Sequence, residues 1–217
     1  SADGRHILFM RQDQMEYDAW LRRTDGSAPT RLGPGMSFTL SPDGRLALAG
    51  LFSLDSPLTL LPTGAGTPRE LEGKKGALDA TWTPDGKKEV WGAADLDGGV
   101  RLHIQGIEGG ESRTISEAGI QTGVDRPFHV SPNGRWIAAL GPDNLVRRSP
   151  IEGGESRQVP GALPGDEPSG WTRDGRTLFV SRFEQMPAQI FRLDLDSGKR
   201  LPWRELMPRD PAGIGGF

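Results

Sequence analysis

One five-residue pattern recurs along the chain and fixes most of what it can fold into: Ser1-Ala2-Asp3-Gly4-Arg5, Ser41-Pro42-Asp43-Gly44-Arg45, Thr83-Pro84-Asp85-Gly86-Lys87, Ser131-Pro132-Asn133-Gly134-Arg135 and Thr172-Arg173-Asp174-Gly175-Arg176. The copies begin 40, 42, 48 and 41 residues apart. Each is a tight turn by its chemistry. Pro in second place presets φ for a type I turn, Asp or Asn suits the next position, and Gly takes the left-handed site that closes a hairpin with a bulge. An apolar run follows each copy: His6 to Met10, Leu46 to Ala49, Glu89-Val90-Trp91, Trp136 to Leu140 and Thr177 to Val180. A short segment ending in a bulky residue (Leu40, Trp82, Val130 or Trp171) precedes all but the first.

A second, Gly-rich turn lies in the back half of each unit. Its copies include Thr24-Asp25-Gly26, Thr63-Gly64-Ala65-Gly66, Leu195-Asp196-Ser197-Gly198, and the heptapeptide Ile107-Glu108-Gly109-Gly110-Glu111-Ser112-Arg113, which returns verbatim as Ile151 to Arg157. Each unit therefore holds four strands: one before the first turn, one after it, a third ending at the Gly-rich turn and a fourth beyond it. Four antiparallel strands recurring at this period are the blades of a β-propeller. The expected fold is all-β, five four-stranded repeats in a single domain over residues 1–217, with repeats starting near 1, 41, 83, 131 and 172. Leu8, Leu48, Val90, Ile137 and Phe179 are expected in its core.

Gly and Pro supply 49 of 217 residues, yet they fall at the periodic turns and so punctuate a globular chain. A net charge of −3 gives no general attraction for nucleic acid. No run of 18 apolar residues would span a bilayer, and the first residues lack the regions of a signal peptide. Without cysteine there are no disulfides and no thiolate zinc sites.

The Ser-Pro-Asp-Gly-Arg motif, the apolar strand after it, and the Glu-Gly-Gly turn leading into a basic fourth strand resemble the WD40-like (PD40, TolB-type) β-propeller repeats of bacteria, over essentially the whole chain. Arg204-Glu205-Leu206-Met207-Pro208 and Asp210-Pro211-Ala212-Gly213 also resemble the last blades of sensor propellers attached to bacterial serine/threonine kinases. Similar propellers serve periplasmic transport complexes, kinase sensor regions and the gating domains of prolyl-oligopeptidase-type peptidases. By resemblance alone, an extracytoplasmic or periplasmic setting is implied.

Phe217 occupies the place held by Leu40, Trp82, Val130 and Trp171. Residues 213–217 thus read as an inner strand whose partner is the run 5–10. The chain is then either a closed five-bladed ring or an arc of a larger propeller, whose open strand edges would invite self-association.

Catalytic motifs are missing: no Gly-x-Ser-x-Gly elbow, no His-Glu-x-x-His, no Walker A sequence, and no complete Gly-x-Gly-x-x-Gly at Gly33-Pro34-Gly35 or Gly64-Ala65-Gly66. The expectation is a protein that is not an enzyme and holds no cofactor or metal. His6, His103 and His129 read as ordinary strand residues. Asp95-Leu96-Asp97-Gly98 and Asp194-Leu195-Asp196-Ser197-Gly198 lack the further ligands of a calcium loop and read as turns. Trp82 and Trp171 read as packing between blades. Arg5, Arg45, Lys87, Arg135 and Arg176 recur in register, and all but Arg135 follow an Asp by two residues, so they read as locally neutralised, solvated hairpins.

Candidate binding residues come from topology. In propellers the loops leading into the innermost strands rim one mouth of the central channel, and here those segments differ from repeat to repeat, which is where a regular scaffold carries specificity. They offer Asp79, with Lys74 and Lys75 nearby; Asp125, Arg126 and His129; Asp166 and Glu167; and Arg209 and Asp210. The expected function is non-enzymatic recognition or scaffolding, binding a protein or small ligand at this face, with a kinase sensor as one setting. The alternative is the gating propeller of a prolyl-oligopeptidase-type serine peptidase lacking its catalytic domain.

Overall fold

The computed structural model describes residues 1–207 except 2, 15, 52, 54, 96, 97, 124, 184 and 185. The chain divides into two compact units, Ser1–Thr114 and Ile115–Phe217. Every regular element among the described residues is a strand, and no helix there is long and apolar enough to cross a membrane.

The first unit contains three antiparallel sheets. In sequence order they are β1 (His6–Asp13), β2 (Glu16–Arg23) and β3 (Thr30–Pro34); β4 (Met36–Leu40), β5 (Leu46–Gly50), β6 (Pro57–Pro62) and β7 (Arg69–Lys75); and β8 (Ala77–Trp82), β9 (Lys88–Ala94), β10 (Val100–Gly106) and β11 (Gly109–Thr114). The second unit contains two: β12 (His129–Val130), β13 (Trp136–Leu140), β14 (Val146–Pro150) and β15 (Arg157–Gln158); then β16 (Glu167–Trp171), β17 (Thr177–Arg182), β18 (Ala188–Asp194) and β19 (Arg200–Leu206). Each sheet is a meander of sequential neighbours, the form of a propeller blade, and the five blades match the five repeats. The bulky residues Leu40, Trp82, Val130 and Trp171 each end the first strand of their blade. The first blade shows three strands among the described residues. The partner expected for it, residues 213–217, lies outside them, as do Arg209 and Asp210.

Period-2 alternation lets each middle strand serve two neighbours. In β5, Ala47 and Ala49 pack with Ala19 and Leu61 toward the first blade, while Leu48 packs with Leu58, Leu71, Trp82 and Trp91 toward the third. The second unit buries Ala138, Leu140, Val146, Leu178, Val180 and Leu193 together in the same way. Of the expected core, Leu48, Val90 and Ile137 are buried, whereas Leu8 and Phe179 are only partly so. In β17 it is Leu178 and Val180 that enter the core. Phe179 lies on the opposite face, its ring 4.6 Å from that of Trp203.

The repeated turn has one hydrogen-bond plan. Ser41 N–H donates to the Leu46 carbonyl (2.8 Å) and Gly44 N–H to the Ser41 carbonyl (2.8 Å), while Leu46 N–H donates to Ser41 Oγ (3.0 Å). Asp43 Oδ1 accepts both the Ser41 hydroxyl (2.6 Å) and Arg45 N–H (3.1 Å). Thr83 with Asp85 and Thr172 with Asp174 repeat the plan. Asn133 repeats it with a neutral amide oxygen, accepting the Ser131 hydroxyl (2.8 Å) and Arg135 N–H (3.0 Å). The five turn glycines have φ between 67° and 71°, a region closed to most side chains. The basic side chains of Arg45, Lys87, Arg135 and Arg176 stay in solvent. The carboxylates therefore serve the turn and not the basic side chains: the Ser or Thr hydroxyl bond first, then the backbone N–H, holds the pKa of Asp43, Asp85 and Asp174 below the ordinary value.

Candidate functional site

In the second unit, the segments leading into β12 and β16 bring three of the expected residues together. Arg126, about half exposed, places its Nε 3.5 Å from Glu167 Oε1. Its Nη1 donates to Gln121 Oε1 (2.6 Å). The Gln121 side-chain amide donates onward to Asn144 Oδ1 (2.7 Å) and the Gly141 carbonyl (3.2 Å). Backbone bonding fixes Gln121 as well, since its N–H donates to the Leu140 carbonyl at the end of β13 (2.9 Å). An ion pair and an amide relay thus hold the irregular segment before β12 against blade 4 and reach β16 of blade 5.

His129 occupies β12 beside this pair. Its imidazole bonds the Pro168 carbonyl of β16, which favours the charged ring, but burial outweighs that bond and holds the pKa below the usual histidine value. Its Nε2 is buried without a hydrogen-bond partner. The His129 carbonyl accepts the indole N–H of Trp171 (3.1 Å), so Trp171 ties blade 5 to blade 4. Asp125 is exposed.

Asp166 is placed differently. Its carboxylate is fully buried, accepting Arg182 Nε (2.8 Å), both terminal nitrogens of Arg200 (2.5 and 2.9 Å) and Leu163 N–H (2.8 Å). Two guanidiniums and a peptide group saturate it, and the Arg200 guanidinium also lies 3.7 Å from the centre of the Phe191 ring. This clamp shapes the segment from which Glu167 projects. Asp79 belongs to the first unit, where it is buried within β8 and accepts Ala80 N–H (2.8 Å). Lys75 is exposed, and Lys74 is buried against Glu89.

Sequence reasoning did not find Gln121, Asn144, Arg182 or Arg200. Only Asn144 carried a signal, in the Gly141-Pro142-Asp143-Asn144 turn, where its φ is 58°. The paired charges, amides and buried ring offer donors and acceptors for recognition. Among the described residues, no three His, Asp or Glu side chains group as a metal site.

No protein-family model matches the chain, and no curated protein matches it in sequence. Solved structures do match in shape. TolB of Acinetobacter baumannii superposes with a TM-score of 0.73 at 15% identity, over 91% of this chain and 52% of that one. A putative TolB of Agrobacterium tumefaciens gives 0.71 at 19% identity, over 95% and 79%. The fold is a TolB-like β-propeller. It is also similar to an oligogalacturonate lyase of Vibrio parahaemolyticus, with a TM-score of 0.61 and 17% identity over 96% of this chain and 64% of that one. This chain spans about half the length of the Acinetobacter TolB.

Proposed function

We propose that this TolB-like propeller is a recognition module that binds a protein or small ligand through the segments leading into β12 and β16. The observation that carries the reading is the Arg126–Glu167 pair: two charged side chains, one from the irregular segment before β12 and one from the first residue of β16, 3.5 Å apart and still partly open to solvent. Exposed Asp125 and the network through Gln121 and Asn144 extend the surface. The likeness to TolB structures favours a binding module over a catalyst. A bacterial signalling kinase is one setting for such a sensor, and a prolyl-oligopeptidase-type peptidase is the alternative one.

The test is affinity capture with the wild-type chain and with an Asp125→Ala/Arg126→Ala/Glu167→Ala variant of unchanged circular dichroism. A partner retained by the first and lost by the second supports the reading. Equal retention by both moves the surface elsewhere. The fold likeness to oligogalacturonate lyase favours a second, enzymatic reading, checked by incubating the chain with oligogalacturonate; bond cleavage would replace the proposal.

A further inference from the structure

The first unit carries a cleft of about 610 Å³ between β7 and β11, the outer strands of adjacent blades. Its floor is made by a bulge. In the β6–β7 ladder, Leu58 faces Leu71 and the next rung joins Pro57 to Lys75, so residues 72–74 loop out of the pairing. Gly73, at φ 76°, permits this. The bulge turns Lys74 inward, where it is buried and ion-paired with Glu89 of β9. Beside that pair in the ladder is Gln105 of β10. Gln105 also lines the cleft and is more than nine-tenths buried; its Nε2 donates to the Gly110 carbonyl, while its Oε1 has no partner.

We infer that this cleft binds an arginine side chain of a partner polypeptide. A buried amide oxygen lacking a donor calls for an N–H, and a guanidinium supplies five in a planar fork while being weakly hydrated. Charge points the same way. The lining carries the carboxylates of Glu70, Glu72 and Glu108 against the cations Arg69 and Lys74, and Lys74 is already neutralised by Glu89 beneath. Glu70, Glu72 and Glu108 are exposed. Arg69 is occupied in bridging the two blades, donating from Nη2 to the Ile107 carbonyl (3.2 Å). The wall at Gly109 and Gly110 has open space where side chains would project, so an approaching chain meets bare peptide groups.

The experiment titrates the 15N-labelled full chain with the blocked tripeptide Gly-Arg-Gly, with its citrulline counterpart of the same shape and no charge, and with spermidine. Expected are saturable shifts at the Gly73, Gly109 and Gly110 amides and the Gln105 side-chain amide. Loss of charge in citrulline, or Glu72→Gln/Glu108→Gln on the exposed rim, weakens binding about ten-fold, the equivalent of one charge-assisted contact. Gln105→Met removes the acceptor and lowers affinity further; should it fail to fold, the rim variant carries the test. The inference is overturned if no saturable shift occurs at these residues, if the citrulline peptide binds equally, or if spermidine binds as tightly as the arginine peptide.

Discussion

Replacing Lys74 by methionine strips Glu89 of its counter-charge without opening much space. Glu89 is 0% and Lys74 1% exposed, so water cannot substitute for the missing ammonium. Breaking one side of such a pair costs about 3–5 kcal/mol, a large share of the ~5–15 kcal/mol that holds a domain folded. With a urea slope of about 2–3 kcal/mol/M, the midpoint should fall by roughly 1–2 M. Trp91, whose ring centre is 5.9 Å from the Lys74 ammonium, is a built-in fluorescence reporter. Adding Glu89→Leu should restore stability to within about 1 kcal/mol of wild type or beyond, because an apolar replacement removes the desolvation cost on both sides. Leucine suits the place: the residue three after the turn glycine is the buried Ala47, Ile137 or Leu178 in the second, fourth and fifth blades, and the apolar Ile7 in the first. The pH dependence has a definite sign. Burial pushes the Glu89 carboxyl above its ordinary value of 4.5, with Lys74 opposing that shift. A raised folded pKa gives stability that is full below the unfolded value and is lost as pH rises through the folded one. The Lys74→Met deficit should therefore be smallest near pH 4–5 and grow toward pH 8. A deficit that does not change with pH, or a double variant no more stable than the single one, would refute the buried-charge argument.

The repeated turns and the Asp166 clamp give two further tests. Ser41→Ala leaves Leu46 N–H without its acceptor and should cost about 1–2 kcal/mol in urea melts, whereas Asp43→Asn should be nearly neutral at pH 7, because Asn133 performs the same task in the fourth copy. Since the Asp43 pKa is lowered by the Ser41 hydroxyl and then by Arg45 N–H, its contribution is present above the unfolded value of 3.8 and lost as pH falls through the folded one, so Asp43→Asn should also blunt acid unfolding. Asp166→Asn leaves Arg182 and Arg200 facing a neutral group in a buried site and should cost about 3 kcal/mol, while Glu167→Gln, at a partly exposed pair, should cost under about 1 kcal/mol; equal losses in these two melts would contradict the assignment of Asp166 as an anchor.

The turns could be read from the sequence because their chemistry is local: Ser41, Asp43 and Gly44 determine one another's bonds within six residues. Charges whose partners lie in another strand could not. The run Glu89-Val90-Trp91 reads as apolar, yet Glu89 is a buried carboxylate whose partner, Lys74, is turned inward by a bulge in the preceding blade. Asp166 reads as a rim carboxylate because nothing nearby in sequence announces Arg182 and Arg200. Phe179 was one residue out of phase with the core, a difference a half-buried strand does not reveal by composition. Arg126 and Glu167 could be found at the entries to two inner strands, but their meeting depends on how β12 and β16 pack.

The repeated heptapeptide shows how alike two blades of this chain are. Its two copies dock in equivalent register: Ile104 opposite Arg113 and His103 opposite Thr114 in one blade, Arg148 opposite Arg157 and Arg147 opposite Gln158 in the next. The first copy pairs from Gly109 onward and the second only from Arg157, because Pro150 stands where the other blade has Gly106 and has no N–H for the first rung. As this chain folds, either copy could therefore join the wrong third strand and find nearly the same bonds waiting. What opposes the exchange is chain connectivity: residues 113 and 148 close a far longer loop than a hairpin does, a difference on the order of 2 kcal/mol in loop entropy, and a local hairpin closes in about 1–10 μs. Fidelity of assembly thus rests on the order in which contacts form, and slowing the hairpins at Gly109 or Gly153 would let blades trade strands.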